Sequence, residues 1–228
     1  MNNKKHKNRK AYNWLMYDIG DKWRNEYSIY YKGDLYDLGC ADAYYKDFFL
    51  KYCNSYTGVD WSNTIHNNNA DIVTDLNKEF KIKNDVADTI ISLSVMEHLY
   101  NPQLFLKESY RILKKDSYII LGVPWMWHIH EAPHDYFRYT PYGLKYLFSE
   151  AGFKEIHIQP TSGFFTMISM KINYFTLKFI SGSSLKMKIT EYLLFPLWYT
   201  IQKLAPILDN LHRGWSSNTV GFYVVAKK

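Results

Sequence analysis

Cysteine is scarce in this 228-residue chain, with only Cys40 and Cys53. Two are too few for a disulfide framework, which excludes the small disulfide-stapled classes and suits a reducing cytoplasm. No motif with defined zinc-ligand spacing is present. No uncharged run in the apolar stretch 160–218 reaches the ~18–20 residues that crossing a bilayer requires, so no transmembrane span is expected. The basic start is followed by Tyr12 to Asp18, which is too short and too polar for a secretory h-region, so no signal peptide is expected. Aromatic residues do not interleave Lys4, Lys5, Lys7, Arg9 and Lys10. That makes the start a solvated tail rather than a nucleic-acid arm, and no nucleic-acid partner is expected.

What is present is an apolar fraction of 47%, of which aromatic residues make up a large part at 18% of the chain. This is too rich for disorder and enough to bury a core for one α/β domain with an elaboration. The formal charge of +6 is modest, so it does not by itself point to a polyanionic partner.

The segment Leu35-Tyr36-Asp37-Leu38-Gly39-Cys40-Ala41-Asp42-Ala43 organises the rest. An apolar run ends in an acid and passes straight into small residues, as a strand does when its following turn must let a ligand approach the backbone. Before it, Tyr12 to Tyr31 has loose helical spacing. After it, a helix is expected over 44–52 and a second strand over 56–59, ending in Asp60-Trp61-Ser62. The step from Asp37 to Asp60 is that of one βαβ unit, which puts both acids at carboxyl ends of neighbouring strands.

Further strands are expected at 71–73, leading to Asp75-Leu76-Asn77, at 87–95, which is apolar enough to be buried on both faces, and at 118–123. Asn101-Pro102 opens a helix to about Leu113, and Thr140-Pro141 opens another over 142–151. Strands over 155–159 and 219–226 complete the set.

This ordered series resembles a class I S-adenosylmethionine-dependent methyltransferase. The residues that carry the likeness are Asp37-Leu38-Gly39-Cys40, Gly58-Val59-Asp60, Asp75, Ala87 to Leu99, and Glu108-Ser109-Tyr110-Arg111-Ile112-Leu113-Lys114. It covers roughly residues 35–160. The implied fold is a doubly wound, Rossmann-like, seven-stranded α/β sheet with an antiparallel last strand and a helical insertion before it. The implied organisation is a basic tail with N-terminal helices over 1–34, a core of 35–160 plus 219–228, and an insertion over 161–218.

The implied cofactor is S-adenosylmethionine. Asp37 and Gly39, with Cys40 and Ala41, shape its amino-acid and sulfonium end. Asp60, beside Trp61, takes the ribose hydroxyls, and Asp75 with the Leu76 backbone reads the adenine. Ser94 stands at the end of the fourth strand. A bidentate carboxylate suits a vicinal diol, and several acids suit a cationic sulfonium. A dinucleotide enzyme would carry G-x-G-x-x-G beneath a pyrophosphate, whereas Asp42 puts an acid there. In this chain Ala41 and Ala43 replace the second and third glycines of the family's G-x-G-x-G, and alanine takes positive φ only at a cost.

The block from Pro124 to Phe153 leaves the fifth strand where an acceptor should enter. Pro133 to Thr140 and Ala151-Gly152-Phe153 are similar to a branch of these methyltransferases associated with glycan and cell-envelope biosynthesis. His134 is the candidate general base, since its ordinary pKa suits that task near neutrality. Tyr136 and Arg138 are candidate acceptor contacts, while Asp135 and Arg138 equally suit a pair that pins the loop. A metal among His128, His130, His134 and Asp135 is set against ordinary structural histidines, and no metal is expected.

His98 is the rival catalytic residue. Glu97-His98 is similar to an E-x-x-E-H segment with which some ubiquinone-pathway O-methyltransferases hold magnesium, but Ser94 stands in place of the first glutamate. No N-P-P-Y tetrapeptide follows the fourth strand, which disfavours an RNA acceptor.

The insertion is apolar, net basic and broken by Pro196 and Pro206, with helices expected over 164–180 and 185–211. It reads either as a helical cap or as a surface for peripheral contact at the inner face of the membrane. The sequence thus points to methyl transfer to an oxygen of a small molecule, a saccharide or a lipid-linked glycan. A non-catalytic or membrane-associating member of the same fold is the other reading.

Overall fold

The computed structural model describes residues 6, 8–62, 69–211 and 213–228. Its strands are β1 (Asp34–Leu38), β2 (Ser55–Asp60), β3 (Ile72–Val73), β4 (Ala87–Leu93), β5 (Leu113–Pro124), β6 (Lys154–Pro160) and β7 (Gly221–Lys227). They form one sheet in the order β3-β2-β1-β4-β5-β7-β6. β1 pairs in parallel with both β2 and β4, and β7 runs antiparallel to β5. This is the expected doubly wound seven-stranded sheet with an antiparallel last strand.

Strand order reverses between β1 and β4, the place where such sheets open a crevice at their carboxyl ends. The register aligns the floor of that crevice: Asp37 lies opposite Gly58 on one side and Ile91 on the other. β4 is buried along most of its length, as its run of apolar residues requires. Leu38, Val59, Ile90, Leu121 and Phe105 meet in the core that holds these strand ends in place.

The helices are α1 (Trp14–Glu26), α2 (Lys46–Phe49), α3 (Pro102–Ile112), α4 (Pro141–Glu150), α5 (Phe164–Thr176) and α6 (Ser184–Asp209). Asn101 caps α3 by accepting from the Leu104 amide, and Thr140 caps α4 by accepting from Gly143, both ahead of a first-turn proline.

α2 is far shorter than the helix expected over 44–52. Its aromatic residues pack in several directions, with Tyr31 against Phe49 at 5.3 Å and Phe48 against Tyr52 at 5.4 Å between ring centroids. Aromatic side chains also lose freedom in a helix. β5 begins five residues earlier than expected, through a bulge in which Leu113 to Tyr118 spans only Ala87 to Thr89 of β4. Asp116, at φ +58°, absorbs that bulge. α6 passes through Pro196 and Pro206 as one helix where a kink or split is expected.

The described chain divides into two compact units, one of residues 1–25 and 160–220, the other of 26–159 and 221–228. In the first, Gln202 of α6 accepts from the Leu15 amide at 3.1 Å and donates to the Ala11 carbonyl at 2.8 Å. Asn173 of α5 donates to the Tyr12 carbonyl at 2.7 Å. Arg9 pairs with Asp18, so this part of the basic start is tied down rather than free; Lys4, Lys5 and Lys7 lie outside the described residues. The second unit contains the sheet crevice.

Candidate active site

β1 ends in a turn that only glycine fits. Gly39 has φ +88°, and a Cβ there would lie 2.2 Å from Val95 Cγ2. The amides of Gly39 and Cys40 donate to the Val59 carbonyl at 2.7 and 3.2 Å, stitching the turn to the end of β2. Ala41 and Ala43 then adopt φ +48° and +52°. They therefore keep the glycine backbone without its freedom, at a cost of ~1 kcal/mol each.

Asp60 holds the strained turn. Its Oδ2 accepts from the Ala41 amide at 2.7 Å and its Oδ1 from the Trp61 amide at 2.8 Å. Each ionised oxygen can accept more than one hydrogen bond, so this anchoring leaves capacity for a hydroxyl at each.

Asp37 accepts from the Tyr56 hydroxyl at 2.7 Å. Protein surrounds it closely although part of its surface stays open, as befits a group on the floor of a crevice. Burial pushes its pKa up to about 6 against the pull of Tyr56, and Asp60 adds to the rise. Burial, with the charges of Asp37 and Asp60 behind it, pushes the Cys40 thiol up to about 12, which makes it a packing group and no nucleophile at neutral pH.

The other sequence candidates are placed less compactly. Asp75 Oδ1 accepts from the Asn77 amide at 3.0 Å, forming a turn after β3, and the Leu76 side chain enters the core. Ser94, at φ +56° and exposed, donates from its amide to the Gly122 carbonyl at 2.8 Å. Asp37, Gly39, Cys40, Ala41, Asp60 and Trp61 thus share one stitched turn, whereas Asp75 and Leu76 belong to the next one.

The loop after β5 docks onto the 3-10 turn Met96–His98 that follows β4. Amides of Tyr136 and Phe137 donate to the Glu97 carbonyl at 2.9 and 3.2 Å, and the Tyr139 hydroxyl to the Met96 carbonyl at 3.0 Å. His98 Nδ1 meets the His134 carbonyl at 2.6 Å. Arg138 grips Asp135 in a two-pronged pair at 2.6 and 2.8 Å and donates to the His128 carbonyl at 3.0 Å. The guanidinium holds the Asp135 carboxyl well below the usual range. Arg138 therefore pins the loop.

His134 is exposed, contacts the Tyr136 hydroxyl through Nδ1 at 3.1 Å, and stands edge-on to the Trp61 ring with centroids 5.3 Å apart. The structure so brings both candidate bases, His98 and His134, to one loop, and His134 beside the residue that follows Asp60.

One participant escapes a reading by motif: Tyr56 is simply a strand tyrosine until its hydroxyl is seen on Asp37. Glu97 is fully buried, and burial pushes it up to about 8 against its own amide and Arg138. His130 lies in the docked loop with its Nε2 3.9 Å from Glu97 Oε1. The sequence singles out Glu97 beside His98 and His130 among the loop histidines, but no pattern in it joins the two.

The donor set suits S-adenosylmethionine: a two-oxygen acid for a diol, a second acid for a cation, and a glycine turn that leaves the backbone open. Residues 36–121 match the family model described as a methyltransferase domain.

Solved structures of methyltransferases share the fold of this chain. An S-adenosylmethionine-dependent methyltransferase from Archaeoglobus fulgidus is 17% identical with a TM-score of 0.57, covering 92% of this chain and 94% of its own. Phosphoethanolamine N-methyltransferase 2 of Haemonchus contortus, in complex with S-adenosyl-L-methionine, is 15% identical with a TM-score of 0.59 over 96% of this chain and 56% of its own. An S-adenosylmethionine-dependent methyltransferase from Mesorhizobium loti is 12% identical with a TM-score of 0.59, covering 94% of this chain and all of its own. No curated protein matches the chain.

Proposed function

We propose that the protein transfers a methyl group from S-adenosylmethionine to an oxygen of a small molecule or saccharide, the saccharide carried on a lipid. The observation that carries this reading is the meeting of His134 with Trp61, which sets an exposed imidazole from the acceptor loop against the turn anchored by Asp60. When bound, S-adenosylmethionine would supply an activated methyl for in-line displacement by the acceptor oxygen, leaving S-adenosylhomocysteine. Asp37, Gly39 and Asp60 bind and orient the donor. His134 takes the proton of the acceptor hydroxyl, and the Tyr136 hydroxyl at 3.1 Å steadies its ring.

Calorimetric titration with S-adenosylhomocysteine tests the donor assignment, and NAD serves as the control; micromolar binding of the first alone is the expected result. His134→Ala then slows turnover by ~100-fold, the ordinary worth of a general base, with that affinity unchanged. An unaltered rate removes His134 from this role.

The lipid-linked acceptor rests on the first unit. Phe175, Leu185, Leu193, Ile207 and Leu211 are largely exposed on α5, α6 and the residues after them, among exposed Lys171, Lys178, Lys186 and Lys188. No described helix is long and apolar enough to cross a membrane. Apolar side chains flanked by lysines suit the interface of an anionic bilayer. The full chain should co-sediment with vesicles containing anionic lipid and much less with purely zwitterionic ones; equal recovery from both, or from neither, defeats this part of the reading.

A further inference from the structure

Glu97 is fully buried, yet neither of its carboxylate oxygens has an aligned hydrogen-bond partner among the described residues. What face it are two imidazoles. His98 Nε2 lies 3.7 Å from Glu97 Oε1 and His130 Nε2 3.9 Å from the same oxygen. The two rings sit 4.7 Å apart, edge to face.

The tautomers follow from the other ring nitrogens. His98 Nδ1 touches the His134 carbonyl, an acceptor only, at 2.6 Å, so Nδ1 carries the hydrogen and Nε2 of the neutral ring is a lone pair. His130 Nδ1 lies 3.3 Å from the His128 carbonyl and 3.5 Å from Asp135 Oδ2, two acceptors against one donor, the Arg138 guanidinium at 3.5 Å, and its hydrogen is assigned there too. Two nitrogen lone pairs and the Glu97 carboxyl therefore converge, and among the described residues the carboxyl's own proton is the one donor between them. Buried polar atoms are satisfied as a rule, and a divalent cation taking the place of that proton would satisfy all three groups at once.

We propose that Glu97, His98 and His130 bind a divalent transition-metal ion, with zinc the best match to two imidazoles and a carboxylate. Tetrahedral ligands at ~2.0–2.1 Å from a common ion stand ~3.3–3.4 Å apart, a few tenths of an ångström less than the two distances from Glu97. The three ligand atoms all lie within 4.8 Å of one another, so closing on an ion draws them inward by about an ångström. Hydrogen bonds from the far ring nitrogens to a carbonyl and toward a carboxylate are the outer contacts that orient metal-bound histidines. Glu131 Oε2, 3.9 Å from His98 Nε2, stands where a fourth ligand or an exchangeable position would be. Magnesium, which prefers oxygen ligands and several waters, fits this nitrogen-rich set poorly.

The loop after β5 supplies His130, so the ion would tie that loop to the turn after β4. Its task there rests on the methyl-transfer reading: a Lewis acid beside the acceptor loop selects acceptors with an oxygen able to ligate it, such as a vicinal diol or a phenol.

The test is calorimetric titration of the chelator-treated full chain with zinc chloride. About one equivalent binds tightly, and Glu97→Gln and His130→Gln each weaken it by at least ~100-fold. His128→Gln, which alters a nearby imidazole outside the set, leaves it within a few-fold. The cobalt-loaded chain gains visible absorption that both ligand variants lose. Absent binding, or binding that His128→Gln lowers as much as His130→Gln does, overturns the proposal. S-adenosylhomocysteine affinity measured on the same samples keeps a failed metal site apart from a failed methyltransferase reading.

Discussion

Asp60→Asn weakens S-adenosylhomocysteine binding by at least ~100-fold, with far-ultraviolet circular dichroism unchanged. Asparagine has one acceptor oxygen where aspartate has two. The carboxylate of Asp60 takes the Ala41 amide on one oxygen and the Trp61 amide on the other. In the variant an amide NH₂ must face one of those N–H groups, donor against donor. The turn loses an anchor at the point where Ala41 and Ala43 already hold a costly backbone, and the ribose diol loses an ionised partner. Hydrogen bonds to charged groups contribute ~1.5–3 kcal/mol each, and losing two of them exceeds a hundredfold in affinity. An affinity within tenfold of the native one, measured by calorimetry, would remove Asp60 from the ribose contact.

Asp37→Asn has effects of opposite sign on stability and on binding. In the folded chain Asp37 titrates at about 6, above its ordinary 3.8, because burial disfavours its charge. The folded state thus holds the extra proton between those values, and its stability falls as pH rises through about 6. Asparagine is neutral throughout and still accepts from Tyr56. Near neutral pH the ligand-free variant gains on the order of 1 kcal/mol after screening by the solvent that Asp37 still touches, which is ~2–4 °C in Tm for a chain of this size. Below about pH 4 the gain disappears, since the native carboxyl is then neutral as well. S-adenosylmethionine binding weakens by ~10-fold or more, because the anion that favours a cationic donor is gone. A Tm gain that persists in acid, or an unchanged affinity, contradicts the account. A group that strains the empty protein and serves the occupied one is the familiar exchange of stability for function.

The turn after β1 and its tie to β2 were legible because their parts are close in sequence. Asp37, the small residues after it and Asp60 span one βαβ unit, and the parallel register carries them to the same sheet edge. Dihedral angles are another matter. Nothing local to Ala41 and Ala43 shows that they take positive φ; at Ala41 the amide contact to Asp60 supports it from 19 residues away.

The histidine-rich loop was legible as a functional block but not as a geometry. Which imidazole meets Glu97 depends on the path of a loop fastened by Arg138, Asp135 and the Glu97 carbonyl, and periodicity does not encode such a path. Arg138 is the exception: its pairing with Asp135, three residues away, is legible in the sequence, and the structure has it.

The hydrogen bonds from Gln202 and Asn173 to the first helix region span 187, 191 and 161 residues. Seen from the ribosome, α1 leaves the exit tunnel well before the partners it meets on α5 and α6. At ~5–20 residues per second, α6 follows it by roughly ten seconds or more, an interval in which a lone 13-residue helix is hardly formed. The sheet waits as well, because β7, which fills the gap between β5 and β6, comes from the last eight residues. The first unit therefore closes only after α6 is made and the sheet only after β7, so a nascent chain stalled short of β7 would be protease-sensitive at β6, which has no other strand to pair with.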